Sequence, residues 1–589
     1  VRRSWVLLGV LLGAWLGGGV VLAAPASAHA TLVSTDPGEG ARLDAVPARV
    51  TLEFSEGVSL GAGYARVLDG DGARVDSGAA TVDGRVLTIP LRTGLPDAGY
   101  LVSYRVISAD SHPISGAYSF VVGDGELVAA AAGADEDPVD PVVATALPVS
   151  RWIGFAGLAL AVGVPVLAFA CWPAGWGSAA LRRLATGGAL AVAGSAVLTF
   201  LLQGPYAAAT GPSGVFDPTL LGATLSSVAG WTLLARAALA LALALVLRPA
   251  WRRAAPPSTG PAVVAGVLAL GVVATTAAIG HPVAGPWPGL AVVVASVHAA
   301  GMAVWLGGLA ALLAVVLRPA TGGAELARVL GPWSRVAFGA VAALVVSGAV
   351  QAVREVESPT ALFATTYGWL LVAKLVLVLA LLAAAGVSRV WVQQRLGAGR
   401  ARPKGRRTVT AHAFAAPGAD PAVEEAADTR RRLQAEAAAE HVPALRRSVL
   451  VEFAIAAVVL ALSAVLVGTP PARSAVAQPV DVVLPLQGSG GPSGSVQVSV
   501  DPARPGPNTL HLYLFDDTGR LTQPEAITVT LTERSQDLGP LEVDLEPAGP
   551  GHYVGDGMAI PGAGTWTLSV TVRLDEFTAT TASTDFPVR

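Results

Sequence analysis

Four regimes of apolar patterning follow one another along the chain. A single apolar run from Trp5 to Ala24 lies behind Arg2 and Arg3 and ahead of Ala26-Ser27-Ala28, the order of charge, apolar stretch and small residues found in a secretory signal. From Thr31 to Gly123, short stretches such as Val50-Thr51-Leu52-Glu53-Phe54 and Tyr100-Leu101-Val102-Ser103-Tyr104-Arg105-Val106 alternate between Pro, Gly and Asp turns. A period of two predicts strands that present every second side chain to a core, here in a small β-sandwich. From Trp152 onward there are eight apolar runs, near 152–171, 185–203, 228–247, 262–280, 289–317, 333–353, 368–388 and 449–468. Each approaches the ~20 residues a helix needs to cross hydrocarbon. After about Val480 the period of two returns, as in Thr509-Leu510-His511-Leu512-Tyr513-Leu514.

The predicted fold class is therefore a polytopic α-helical membrane bundle of about eight transmembrane helices, flanked by two extracytoplasmic all-β sandwich domains. Its divisions are a signal peptide (1–28), a first sandwich (29–125), a linker (126–150), a membrane domain (151–470) with a polar cytoplasmic insert (397–445), and a C-terminal β domain (480–589). Basic residues collect in the loops after the first, third, fifth and seventh runs, whereas the loops between offer only Arg354. Positive charge is retained on the cytoplasmic side, so both termini are expected outside a multi-pass protein of the cell membrane.

Composition narrows the chemistry. With 53% hydrophobic and 14% charged residues and a mean hydropathy of +0.58, an ordinary cytosolic enzyme is excluded. A single cysteine, Cys171, excludes intramolecular disulfides, thiolate zinc clusters and iron–sulfur ligation. No Walker A sequence or other ATPase core is visible, so any energy would have to come from a gradient, reduction or downstream sequestration; the chain is not expected to be an enzyme.

The chain has eight histidines, and their placement is informative. Cleavage after Ala28 would leave His29 as a new N-terminus, whose amine and imidazole can chelate one metal ion together. Asp110-Ser111-His112-Pro113 follows directly on an alternating strand, and residues two apart share a face, so Asp110 and His112 could complete a site begun by His29. Nitrogen and oxygen donors without sulfur favour Cu(II). The alternative is that Asp110 and His112 only cap a turn before Pro113. His298 lies about nine residues, or roughly 13 Å, into the fifth run. Met302, one of only two methionines, and Trp305 follow on the same helix face. An imidazole beside a thioether suits Cu(I) or a copper ion in transit, and an ionisable group inside a membrane is a functional candidate. His281, before Pro282 at the outer end of the fourth run, could serve the entrance. The plainer reading has His298 bonding a neighbouring helix and Met302 filling space. Arg236, Lys374 and Glu452 are charges at membrane depth that need partners, and a direct Lys374–Glu452 pair is doubtful because they lie in opposite halves of the bilayer. His511 and His552 in the tail read as strand histidines that could bind metal; His412 and His441 show no partner spacing.

His29-Ala30 with Leu32, the turn Asp36-Pro37-Gly38-Glu39-Gly40, the strand Leu52-Glu53-Phe54-Ser55, and Ser108-Ala109-Asp110-Ser111-His112-Pro113-Ile114-Ser115-Gly116 with Phe120 closely resemble the CopC copper-binding family. That resemblance implies Cu(II) binding by His29, Asp110 and His112; the stretch contains no Met, so a methionine-rich Cu(I) site is not expected there. Val297-His298-Ala299-Ala300-Gly301-Met302-Ala303-Val304-Trp305-Leu306-Gly307-Gly308, Thr366-Tyr367-Gly368-Trp369-Leu370 with Lys374, and Arg446-Arg447-Ser448-Val449 leading to Glu452 resemble the CopD family. The order of parts resembles fused CopC–CopD copper resistance and import proteins of the YcnJ type, with a YtkA-like tail. The resemblance implies extracytoplasmic Cu(II) capture and copper transport, with import as the expected direction; the candidate path, read from the residues themselves, is His281, His298 and Met302. Copper, as Cu(II) outside and Cu(I) in the membrane, is the expected cofactor. The expected partners are the copper ion, the lipid bilayer and an extracytoplasmic copper donor or reductase, with no nucleic acid. Two other classes stay open: copper resistance by sequestration without import, and a haem-binding electron-transfer protein with His281 and His298 as axial ligands.

Overall fold

The computed structural model describes residues 32–125 apart from 39, 55, 110 and 111; residue 128; 139–395 apart from 285–286, 319–320, 322 and 357–360; residue 429; and 442–588 apart from 473–479, 489–490, 502, 504, 517–520, 535, 550, 563 and 574–578. The signal segment 1–28, His29, Asp110, His412 and His441 lie outside the described residues.

The first alternating region folds into two facing four-stranded sheets. One has the order β1 (Leu32–Asp36), β3 (Arg49–Phe54), β6 (Val86–Pro90), β5 (Thr81–Asp83); the other β2 (Arg42–Leu43), β8 (Pro113–Val122), β7 (Gly99–Ser108), β4 (Val58–Leu68). Val50, Leu52 and Phe54 meet Tyr100, Val102, Tyr104 and Val106 between them, and the Phe54 and Tyr104 rings pack edge to face at 5.6 Å. Strand β7 departs from simple alternation, because every one of its residues is buried. Its second face, carrying Leu101, Ser103, Arg105 and Ile107, belongs to a sheet that lies on the helical bundle.

Among the described residues, eight helices are long and apolar enough to span a membrane: α1 (Pro141–Ala170), α2 (Ala179–Ala208), α3 (Val228–Arg253), α4 (Thr259–Ala277), α5 (Pro288–Val316), α6 (Glu325–Val356), α7 (Thr366–Val390) and α8 (Val442–Leu466). Sequential neighbours pack from α1 to α6, α7 packs on α6 and α8, and α8 returns to α1. Helix α5 runs through the middle, against α1, α4, α6 and α8. The crossing of α1 and α5 is close because it is made of glycines. A Cβ on Gly307 would stand 1.9 Å from the Ala159 carbonyl oxygen, and one on Gly163 would stand 2.1 Å from that of Ala303. Without a hydrophobic drive between helices in lipid, such backbone proximity supplies the attraction. On the α1 side this crossing coincides with a π-helical turn, Ala159–Gly163.

Two boundaries differ from the sequence reading. The linker expected through residue 150 is already helical from Pro141, because the Asp140 carboxylate accepts hydrogen bonds from the Val142 and Val143 amides at 2.8 and 3.3 Å and proline favours the first helical position. The polar insert expected through 445 gives way to α8 at Val442.

The short helix Pro218–Ser226 and the end of α2 carry the first sandwich through β4. Arg105 fastens it: its Nε donates to the Ala207 carbonyl at 2.6 Å and its Nη1 to Ser115 Oγ at 3.2 Å. The last carbonyls of a helix lack intrahelical partners and sit at the negative end of its dipole, so a buried guanidinium there satisfies both groups.

The C-terminal domain is a second sandwich. A five-stranded sheet runs β14 (Glu546–Gly549), β15 (His552–Ile560), β11 (Gly506–Phe515), β10 (Gly491–Asp501), β9 (Val480–Gly488), and a four-stranded one runs β13 (Leu538–Val543), β12 (Ala526–Glu533), β16 (Gly564–Arg573), β17 (Ala579–Val588). Trp566 fills its core, with its indole N–H on the Gly562 carbonyl at 2.9 Å. This domain touches the first sandwich at Gly40, whose φ of +70° suits glycine and where a Cβ would lie 2.2 Å from His552 Cε1.

Two outcomes are expected. Gly307→Leu forces α1 and α5 apart and destabilises the bundle by about 1–3 kcal/mol, seen as a lower unfolding temperature in detergent; an unchanged temperature contradicts the crossing. Arg105→Ala removes a buried charged hydrogen bond of about 1.5–3 kcal/mol. Amide exchange should then quicken at the sandwich–bundle contact while the sandwich core stays protected.

Candidate functional site

The hairpin joining β7 to β8 carries His112. Its last paired residues are Ile107 and Pro113, and the loop is closed by Ser108, whose amide and hydroxyl donate to the His112 carbonyl at 2.9 and 3.0 Å. The turn-capping alternative is thus part of the structure, but it uses the His112 backbone. The imidazole itself is buried, with 5% exposure.

Its neighbour comes from the membrane domain. The His112 and His281 ring centres are 5.6 Å apart with planes inclined by 28°. His281 opens a short 3-10 turn, His281–Val283, between α4 and α5, and is itself buried. Arg354, at the end of α6, holds this turn: Nη1 donates to the His281 carbonyl at 3.3 Å, Nη2 donates to the Ala284 carbonyl, and the guanidinium pairs with Glu355 at 3.2 Å. Tyr367, at the start of α7, brings its ring to 6.2 Å from that of His281. His112, His281 and Tyr367 therefore line one junction where the hairpin meets three helix ends.

Deeper in α5, about 15 Å from its start at Pro288, the Nδ1 of His298 lies 3.1 Å from Ser347 Oγ on α6. The Ser347 hydroxyl proton is already given to the Ala343 carbonyl at 2.6 Å, so Ser347 accepts and His298 Nδ1 donates. That choice of tautomer leaves Nε2 as the basic nitrogen, the atom a metal would take. Gly348 makes room for the ring: a Cβ there would come within 3.2 Å of His298 Cε1. Met302 follows one turn below His298, buried among Trp305, Leu306 and Leu309. The interhelical hydrogen bond and the packing role foreseen as plainer readings are both present, and neither occupies Nε2.

The remaining charges find separate partners. Arg236 Nη2 donates to the Thr275 carbonyl at 2.6 Å. Glu452 accepts from the Ser388 hydroxyl, on α7 some 14 residues or about 21 Å beyond Lys374, which rules out a direct Lys374–Glu452 pair. At the end of α5 away from His281, Arg446 Nη1 donates to the Leu313 and Leu317 carbonyls at 2.8 and 2.9 Å, beside the π-helical turn Leu312–Val316.

In the tail, His511 and His552 come together. His511 Nδ1 is 3.3 Å from His552 Nε2, and Tyr513 stacks on His552 at 4.3 Å with a 9° tilt. Burial first, and His511 second, push the His552 imidazole down to about 4, so it is neutral near pH 7.

Sequence reasoning did not single out Ser347, Arg354 or Arg105 as positioning residues. Ser347-Gly348 within an apolar span was the available signal for the first, and the single arginine among loops otherwise without basic residues for the second.

Comparison with known proteins divides the chain in the same way. The CopC domain family matches residues 32–123; the Copper resistance protein D-like N-terminal domain 140–289; Copper resistance protein D 327–418; and FixH 493–583. The chain is 25% identical over 584 residues to Copper transport protein CutJ of Bacillus subtilis (strain 168), covering 97% of this chain and 96% of that protein. It is 33% identical over 112 residues to Copper resistance protein C of Pseudomonas syringae pv. tomato, which is 18% of this chain and 88% of that protein. Among solved structures, CopC from Methylosinus trichosporium OB3b is 32% identical with a TM-score of 0.15, over 16% of this chain and 95% of that one. The chain belongs to the CopC family through its first sandwich, and joins that domain to CopD and FixH domains in one polypeptide.

Proposed function

We propose that this copper-handling membrane protein captures Cu(II) outside the cell with its first sandwich and passes copper inward through the bundle. The observation that carries this reading is the contact between His112 and His281, whose rings lie 5.6 Å apart. It brings a proposed capture ligand into ring contact with a histidine at the mouth of the membrane domain. Its supports are the donor chemistry, the similarity over nearly the whole chain to a copper transport protein, and the charge pattern. Basic residues gather at the end of the bundle away from the sandwich, which fits an extracytoplasmic capture domain.

The residues have distinct roles in this scheme. His29, Asp110 and His112 hold Cu(II); nitrogen and oxygen donors stabilise the divalent ion. His281 accepts copper at the mouth, kept in place by Arg354 on its carbonyl. His298 Nε2 and the Met302 thioether, one helical turn apart, form a softer station suited to Cu(I). The change of oxidation state draws one electron from an extracytoplasmic one-electron reductant. Stepwise transfer between fixed donors avoids a bare ion in hydrocarbon, whose desolvation would be prohibitive.

The haem alternative has less support. It needs His281 and His298 on one iron, yet His281 faces His112 and Tyr367 at the outer junction and His298 is about 15 Å further along.

At low external copper, cells expressing the wild type should accumulate copper, and His281→Ala or His298→Ala should lower accumulation at least tenfold, to the empty-vector level. A fall in copper with the wild type would turn the reading to export or resistance, and equal levels in all strains would turn it to binding without transport. Ser347→Ala lets His298 adopt either tautomer and should slow uptake several-fold, while Cu(II) binding outside the membrane is unchanged. Uptake equal to wild type would remove Ser347 from the scheme.

A further inference from the structure

The histidine pair of the C-terminal domain does not belong to the path through the bundle. His511 on β11 and His552 on β15 sit on neighbouring strands, with Tyr513 paired directly across from His552. The N···N separation is 3.3 Å, the ring centres are 5.6 Å apart and the planes differ by 16°. Since the N···N vector then runs close to the line of centres, the rings meet edge to edge, each nitrogen aimed at the other. In neutral imidazoles one of these nitrogens carries a proton and the other a lone pair.

Two nitrogens facing each other in line match the coordination that a monovalent d¹⁰ ion prefers. Two metal–imidazole bonds of about 2.0 Å span about 4 Å, so the rings need to part by less than about 1 Å for the ion to replace the shared proton. The donor set also selects charge. Both ligands are neutral, and among the described residues no group of three or more His, Cys, Asp or Glu side chains is gathered, whereas divalent zinc or copper sites usually take four donors. The pocket is stiff on the His552 side. Tyr513 stacks on that ring at 4.3 Å, and its Cε1 edge rests against Gly40 of the first sandwich. His511 is half-buried.

We propose that His511 Nδ1 and His552 Nε2 form a two-coordinate Cu(I) site, separate from the Cu(II) site of the first sandwich and set at the contact between the two extracytoplasmic domains. Gly40 bonds to Ser119 on β8 at 2.7 Å, six residues and about 20 Å along that strand from Pro113 beside His112. The two sites are therefore distinct, and a copper ion at one does not fill the other.

The test is anaerobic titration of the purified full-length protein in detergent with Cu(I), against bicinchoninate as competing chelator. His511→Asn keeps a side-chain N–H for His552 Nε2 and removes the ligand, so the fold is expected to survive, checked by an unchanged unfolding temperature. Wild type should bind one more equivalent of Cu(I) than His511→Asn, and its X-ray absorption spectrum should gain a component from copper bound by two nitrogens. His112→Ala should keep that equivalent while losing Cu(II), and His298→Ala should keep it too. Equal Cu(I) stoichiometry in wild type and in a folded His511→Asn would overturn the site, as would loss of the equivalent in His298→Ala alone.

Discussion

The Arg105 guanidinium, seated on the Ala207 carbonyl at 2.6 Å, ties the first sandwich to the end of α2. A helix end needs a donor for its last carbonyls, and a buried arginine needs an acceptor. The pairing answers both needs and explains why β7 is buried on both faces. With that strand fixed against the bundle, the hairpin that follows it reaches the junction of α4, α5 and α7, and His112 comes to rest beside His281. The Arg105 bond and the contacts of β4 with α2 and the short helix together dock the domain and so place the candidate copper ligand.

Beyond the junction, the bilayer imposes its own rule: polar groups there must be satisfied by the protein itself. Ser347 receives the His298 N–H, Arg236 reaches the Thr275 carbonyl, and Arg446 reaches carbonyls beside a π-helical turn. The same satisfaction that stabilises the bundle also sets chemistry, because the Ser347 hydrogen bond chooses the nitrogen His298 can offer to a metal. The glycine crossing of α1 and α5 keeps the helix that carries His298 and Met302 at the centre, away from lipid.

Much of this was legible in the linear pattern. Apolar runs of spanning length marked all eight helices, and alternation marked both sandwiches, because each signal reflects a local requirement of backbone and solvent. Asp140 and Pro141 carried an N-terminal helix signal that the acidic linker composition obscured. The double burial of β7, the apposition of His112 with His281, and the meeting of His511 with His552 depend on contacts between domains or distant strands. No spacing in the chain encodes them. His298 could be nominated singly, since a histidine at membrane depth is costly without a purpose, and His281 from its place before Pro282 at the end of the fourth run, but their supporting residues Arg354 and Ser347 come from a helix further along the chain.

The central claim is that copper held by the sandwich enters the bundle through His281. It is tested most directly in proteoliposomes loaded inside with a fluorescent copper chelator. The protein is charged with one equivalent of Cu(II), and an external one-electron reductant starts the transfer. The account predicts that wild type delivers copper to the interior, and that His281→Ala retains Cu(II) at the sandwich with wild-type affinity but delivers at least tenfold more slowly. Delivery by His281→Ala at the wild-type rate would contradict it.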